Sequence, residues 1–136
     1  IFGTSYLIFK FKTKVYYEDT DSGGVVYYAN YLKFIERART NLIQELGFSL
    51  KSLSEKHNCH FVVKNIHCNY IQSAKLEDEL SIQTKFIEIK KASFKLEQII
   101  YREDKAIFES EVLMVNINSN GKPLKIPDTL ISAIND

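Results

Sequence analysis

From Phe9 to Tyr17 the residues Phe9, Phe11, Thr13, Val15 and Tyr17 alternate with Lys10, Lys12, Lys14 and Tyr16. Successive side chains of a strand point to opposite faces, so this period of two predicts a first strand with one wet face. After Val25 and Val26 the period changes. Tyr31, Leu32, Ile35, Ala38, Leu42 and Leu46 recur at three-to-four spacing, while Lys33, Glu36, Arg37, Arg39, Asn41 and Glu45 take the other side. That pattern predicts an amphipathic helix over 29–46, stopped at Gly47. A short second helix is expected over 50–56 with Ser49 as its cap. Four extended stretches follow, over about 61–71, 80–90, 93–102 and 106–117, and a terminal helix over 127–134 carries Pro127 in its first turn.

Lys90-Lys91-Ala92 and Arg102-Glu103-Asp104-Lys105 are short enough to be hairpin turns, which makes the strands they join antiparallel neighbours. A strand of about ten residues spans roughly 33 Å and the long helix roughly 27 Å. These lengths match. The economical architecture is one strongly curved antiparallel sheet wrapped along one long helix, an α+β fold, ended by Asn118-Ser119-Asn120-Gly121-Lys122-Pro123. At 136 residues the chain reads as a single domain, 1–136. Ile1 stands where an initiator methionine would, so residues 1–8 are expected to be a disordered or added end and carry none of the functional argument.

With 18 basic against 17 acidic residues, no global field recruits nucleic acid or a membrane surface. Lys10, Lys12 and Lys14 interrupt the only apolar stretch near the start, so the chain is not expected to span a membrane or to carry a signal peptide. Cys59 and Cys68 read as reduced thiols in a cytoplasmic protein, since a chain this rich in Val, Ile, Leu and Phe needs no disulfide. His57, His60 and His67 beside them raise zinc as an idea, but no ligand pair has finger-like spacing. No metal is assigned.

The candidate chemistry lies in Tyr16-Tyr17-Glu18-Asp19-Thr20-Asp21-Ser22-Gly23-Gly24-Val25-Val26-Tyr27-Tyr28-Ala29-Asn30-Tyr31. A helix start presents orphan N–H groups reinforced by the positive end of the macrodipole. Were the helix to begin around Tyr27-Tyr28-Ala29, a carbonyl held there would meet a backbone donor on one side and Asp21 on the other, the arrangement for attack on an activated acyl group. Gly23 and Gly24 would permit the sharp turn and a close ligand approach. The competing reading makes Asp19 and Asp21 helix caps or turn formers. Residue chemistry alone leaves the two evenly matched.

Asp21-Ser22-Gly23-Gly24-Val25-Val26-Tyr27-Tyr28-Ala29-Asn30-Tyr31, followed by Phe34-Ile35-Glu36-Arg37-Ala38-Arg39-Thr40, resembles the signature of hot-dog-fold thioesterases of the 4-hydroxybenzoyl-CoA thioesterase family. The Glu36-Arg37-Ala38-Arg39-Thr40 run is similar to the YbgC type of bacterial acyl-CoA thioesterase. The resemblance, covering about 12–117, implies a hot-dog fold and hydrolysis of acyl-CoA to free acid and coenzyme A. Coenzyme A is then part of the substrate and no separate cofactor is implied. It also implies that Asp21 is the catalytic carboxylate, that the helix-start amide at Tyr28 binds the thioester carbonyl, and that Asp19 supports Asp21. Gly24, Val25, Tyr27, Asn30 and Tyr31 would shape the substrate site, and Lys90 and Lys91 stand where relatives meet the phosphates of coenzyme A. The competing reading for those two is a solvated lysine pair in a hairpin.

The same resemblance implies a homodimer or homotetramer with active sites at the subunit interface. It also implies acyl-carrier, phospholipid-synthesis or Tol-Pal envelope proteins as partners. The chain departs from its relatives at Tyr28, where YbgC-type proteins commonly have His, and at Ser22-Gly23; a backbone role at Tyr28 survives that change. Glu36 is the reserve carboxylate, about two turns into the helix. Two further readings remain: a non-catalytic acyl-binding scaffold, and a hydroxyacyl-thioester dehydratase, for which none of the three histidines falls in the motif. Tyr27, Phe61 and Tyr70 are candidate pocket walls as well as candidate core.

Overall fold

In the computed structural model, which describes residues 7–135, the strands are β1 (Phe9–Lys14), β2 (His60–Tyr70), β3 (Glu79–Ile89), β4 (Ser93–Arg102) and β5 (Lys105–Ile117). The helices are α1 (Asn30–Glu45), α2 (Leu50–His57) and α3 (Asp128–Asn135). Of the end set aside at 1–8, residues 1–6 lie outside the described residues; Leu7 and Ile8 are exposed.

The strands form one antiparallel sheet in the order β1-β3-β4-β5-β2, with β3–β4 and β4–β5 joined by the two expected hairpins. Alternation builds its inner face. Leu80, Ile82, Thr84 and Phe86 of β3, Phe94, Leu96, Gln98 and Ile100 of β4, and Phe108, Ser110, Val112 and Met114 of β5 are all buried. Against that face α1 places Tyr31, Phe34, Ile35, Ala38 and Leu42. Burying a side chain such as Phe34 or Leu42 contributes about 1.5–3 kcal/mol, which orders the long helix on the sheet.

The ends of the elements follow local chemistry. β1 stops at Lys14, short of the expected Tyr17, because the chain is pulled out of the ladder: Val15 N donates to Asp78 O at 2.9 Å and Tyr16 N to Asp19 Oδ2 at 2.9 Å. A 3₁₀ turn over Tyr17–Asp19 results. Ser49 Oγ accepts from Ser52 N at 3.0 Å, the expected cap of α2. α1 ends before Gly47, whose φ of 92° suits a left-handed stop.

The two sheet edges differ. β1 occupies one and is short; β2 occupies the other and runs eleven residues, half-buried at three positions and exposed at the rest. A bulge between Val63 and Asn65 inserts Lys64 and resets the alternation, so Phe61 and Val63 before it share the α1 side with Ile66 and Tyr70 after it.

Candidate active site

The loop from Asp19 to Tyr28 is held between α1 and the 71–78 segment. Val26 N donates to Ala74 O at 2.8 Å, Leu76 N to Gly24 O at 3.3 Å, and Ala74 N to the buried Tyr31 hydroxyl at 2.9 Å. Tyr31 in turn stacks on Phe108 with ring centroids 5.3 Å apart. These ties fix the loop against a rigid core.

The two aspartates have different environments. Asp19 is 4 % exposed and both its oxygens are used: Oδ2 accepts from Tyr16 N and Oδ1 from Asn30 Nδ2, each at 2.9 Å. It joins the 3₁₀ turn to the first residue of α1, which is a supporting task. Asp21 is exposed, and only its Oδ1 is engaged, by Gly23 N at 2.8 Å. Its second oxygen has no hydrogen-bond partner among the described residues. A Cβ on Gly23 would sit 3.3 Å from that Oδ1, and Gly24 adopts φ 81°, so each glycine answers a separate demand of the turn.

Neither aspartate caps α1. Its N-cap position is Ala29, which has no side-chain acceptor, and the first turn carries no acidic residue. The Tyr28 and Ala29 amides donate to no group among the described residues, while Tyr27 N reaches Asp19 O at 3.3 Å and Asn30 N reaches Tyr27 O at 2.8 Å. An uncapped helix start is an electropositive pair of donors. The Tyr28 carbonyl accepts from the Tyr70 hydroxyl at 3.1 Å, which steadies the peptide; the Tyr28 and Tyr27 rings are exposed, with centroids 4.9 Å apart. A groove of about 210 Å³ opens here between Val26, Tyr28, Tyr31, Tyr70 and Ser73. Burial holds the Tyr70 phenol above its ordinary range, with Cys68, Tyr28 and Tyr31 adding to the effect, so Tyr70 stays a neutral donor. The Tyr27 phenol is raised by its hydrogen bond with Tyr28.

Asp21, Gly24, Val25, Tyr27 and Tyr28 lie on the loop that runs into Asn30 and Tyr31 at the start of α1, and of these Tyr28 and Tyr31 line the groove. Lys90 and Lys91 do not join them within one chain. Val25 bridges Lys75 just before β3 begins, whereas the lysines follow its far end, about 36 Å away at 3.3 Å per residue. Lys90 Nζ lies 3.8 Å from Glu88 Oε2. Glu36 is exposed, and its Oε2 accepts from Thr40 Oγ1 at 3.0 Å. Cys59 is buried and Cys68 exposed, both free thiols; burial raises the Cys68 pKa.

Sequence reasoning put Arg39 on the outer face of the helix, but the structure draws it in. Arg39 Nη1 donates to Gln98 Oε1 at 2.9 Å, and Gln98 Nε2 donates to Ile35 O at 2.9 Å and Thr84 Oγ1 at 3.0 Å. The signal was available in the strands: Thr84 and Gln98 are polar residues on inner, otherwise apolar positions, and such groups need partners. Beside Arg39 lies a cavity of about 220 Å³ between the second half of α1, α2 and the sheet, lined by Leu42, Ile43, Leu50, Phe61, Val63 and Met114 among others.

The sequence profile of the Thioesterase-like superfamily matches residues 15–134. The chain is 39% identical to the acyl-CoA thioesterase YbgC of Haemophilus influenzae over 92% of this chain and 93% of that protein. It is 37% identical to the acyl-CoA thioester hydrolase YbgC of Escherichia coli O6:H1, over 92% and 94%. Among solved structures, a probable thioesterase from Bartonella henselae superposes with a TM-score of 0.85 at 32% identity, covering 90% of this chain and all of that one. The exposed carboxylate beside an uncapped helix start therefore sits on a hot-dog fold, and the chain belongs to the Thioesterase-like superfamily, among relatives of the YbgC type.

Proposed function

We propose that this protein hydrolyses acyl-CoA thioesters to a free acid and coenzyme A. One observation carries the reading: the exposed Asp21 carboxylate stands in the loop that enters α1, and the Tyr28 and Ala29 amides at that helix start have no partner among the described residues. The amides polarise the thioester carbonyl and hold the oxyanion that develops on it. Asp21 either attacks the carbonyl carbon, forming a mixed anhydride that water then opens to the free acid and the regenerated carboxylate, or takes a proton from the water that attacks. On both routes the C–S bond breaks and the thiolate takes up a proton. Single turnover in ¹⁸O water separates the two routes, because label enters Asp21 only by the covalent one. The reading assigns no metal or redox cofactor.

The working unit is a homodimer paired through β2, and a homotetramer is two such units. An unpaired strand of eleven residues without proline is a template for another strand. A two-fold pairing of β2 with its copy is antiparallel, so the Tyr70 end of one chain lies beside the His60 end of the other. Tyr70 touches Tyr28, and Phe61 and Val63 at the opposite end wall the 220 Å³ cavity. Each Asp21 then faces its partner's cavity, which receives the acyl chain, and its partner's Lys90 and Lys91, which are otherwise far from it.

The cavity is small beside the roughly 300–1,000 Å³ of common ligand sites, so short and medium acyl chains fit best. Up to that limit each buried methylene raises kcat/KM about fourfold, the equivalent of about 0.8 kcal/mol. A thiol-release panel from acetyl- to palmitoyl-CoA, with benzoyl-CoA, tests the reading. Tight acyl-CoA binding with no thiol released by any member would replace hydrolysis by a carrier role.

A further inference from the structure

Arg39 is a cation at the helix–sheet boundary whose surroundings do not match it. Burial depresses its pKa, with the charge of Glu36 pushing the other way, and it forms no ion pair among the described residues. Of the five N–H donors of a guanidinium, one is spent on Gln98 and the rest donate to nothing described. They are not sealed off either, since among the described residues no buried side-chain nitrogen or oxygen lacks a partner. Arg39 itself lines the adjoining cavity.

The group is also held still. Gln98 has no exposed surface, and its two Nε2 bonds, to Ile35 O and Thr84 Oγ1, leave Oε1 aimed at Arg39. The result is a preorganised cation at the wall of a pocket that is otherwise mostly apolar, from Leu42, Ile43, Phe61, Leu96 and Met114. A charge half out of water and without an ion pair is costly, and an incoming anion offsets that cost. Glu36, the other charged group on the wall, has Oε2 bonded by Thr40 Oγ1 and would repel a second negative charge. The site thus favours one carboxylate with an apolar tail.

We infer that Arg39 seats the carboxylate of an apolar monocarboxylic acid whose chain fills this cavity. Such an acid is the chemical class that thioester hydrolysis releases, so the site makes the enzyme subject to inhibition by its own product; that consequence, unlike the binding itself, rests on the hydrolytic reading.

Isothermal titration of the full chain with octanoate and with 1-octanol, which share a tail and differ in charge, tests the site. One octanoate should bind per chain, and 1-octanol should bind about 10- to 100-fold more weakly, the range for a hydrogen bond to a charged group. Arg39→Gln should erase that difference and Arg39→Lys should keep most of it. Equal binding of octanoate and 1-octanol by the unmodified protein would overturn the inference, as would no octanoate binding at all, and neither comparison depends on a variant folding. Thiol release without octanoate binding sinks only this site; octanoate binding without thiol release from any acyl-CoA sinks only the hydrolytic reading.

Discussion

The two edges of the sheet are built to opposite specifications. β1 is six residues long and turns Lys10, Lys12 and Lys14 outward, the usual means of refusing a further strand. β2 is nearly twice as long, carries a single lysine, and leaves Val62, Val63 and Tyr70 between 40% and 45% exposed. That difference locates function. The open edge ends at Tyr70, whose hydroxyl holds the Tyr28 peptide, while the closed edge leads into the loop that carries Asp21. On the proposed pairing, one edge is closed to further strands and the other meets the surface that completes the loop's site.

Several substitutions would break or sharpen this contrast. The largest effect is expected at the loop: Asp21→Asn should lower kcat by about 10²- to 10⁴-fold and leave the dimer intact by sedimentation. Full turnover in that variant would move the chemistry elsewhere, first to Glu36. Giving β2 the device of β1, with Val62→Lys and Asn65→Lys together, should produce monomers and cut kcat/KM about 100-fold, because each site loses its partner's cavity. The thermal midpoint of the monomer should change little, as surface substitutions usually stay within about 0.5 kcal/mol. A fully active dimer from the same chain would remove β2 from the interface.

A smaller effect is expected where the open edge meets the helix start. Tyr70→Phe deletes the 3.1 Å bond to Tyr28 O and should reduce kcat/KM about three- to tenfold at unchanged mass, in line with about 0.5–1.5 kcal/mol for one hydrogen bond. The smallest concerns Cys68 on β2. Burial raises its pKa above the ordinary 9.0, so at any pH below that the thiolate fraction is lower than in a free cysteine. Iodoacetamide at pH 8 should therefore label it more slowly than a model thiol, and faster once the lysine pair has separated the subunits.

Much of this was readable beforehand, and the failures have physical causes. The span of β4 and the Ser49 cap are local consequences of alternation and of a hydroxyl before a helix, and both stand as expected. β1 ended early because Asp19 captures Tyr16 N, a contact that propensity does not encode. The glycine pair marked the turn, but residue chemistry alone did not separate Asp19 from Asp21. The family resemblance assigned chemistry to Asp21 and support to Asp19, and the structure adds that Tyr16 and Asn30 occupy both oxygens of Asp19 while only one oxygen of Asp21 is engaged. Arg39 was misplaced because helical periodicity sorts long polar side chains outward. Its partners Gln98 and Thr84, polar at inward strand positions, were the overlooked clue.

Subunit mixing addresses the central claim, that Asp21 of one chain works with the cavity of the other. Asp21→Asn chains and Met114→Trp chains, the second with the cavity filled, should each be nearly inactive on octanoyl-CoA as homodimers. Unfolded together and refolded, half of the dimers should be mixed and half of their sites intact, restoring about a quarter of unmodified turnover. A mixture no more active than the average of its two parents would mean that one chain supplies both parts, and would contradict the account.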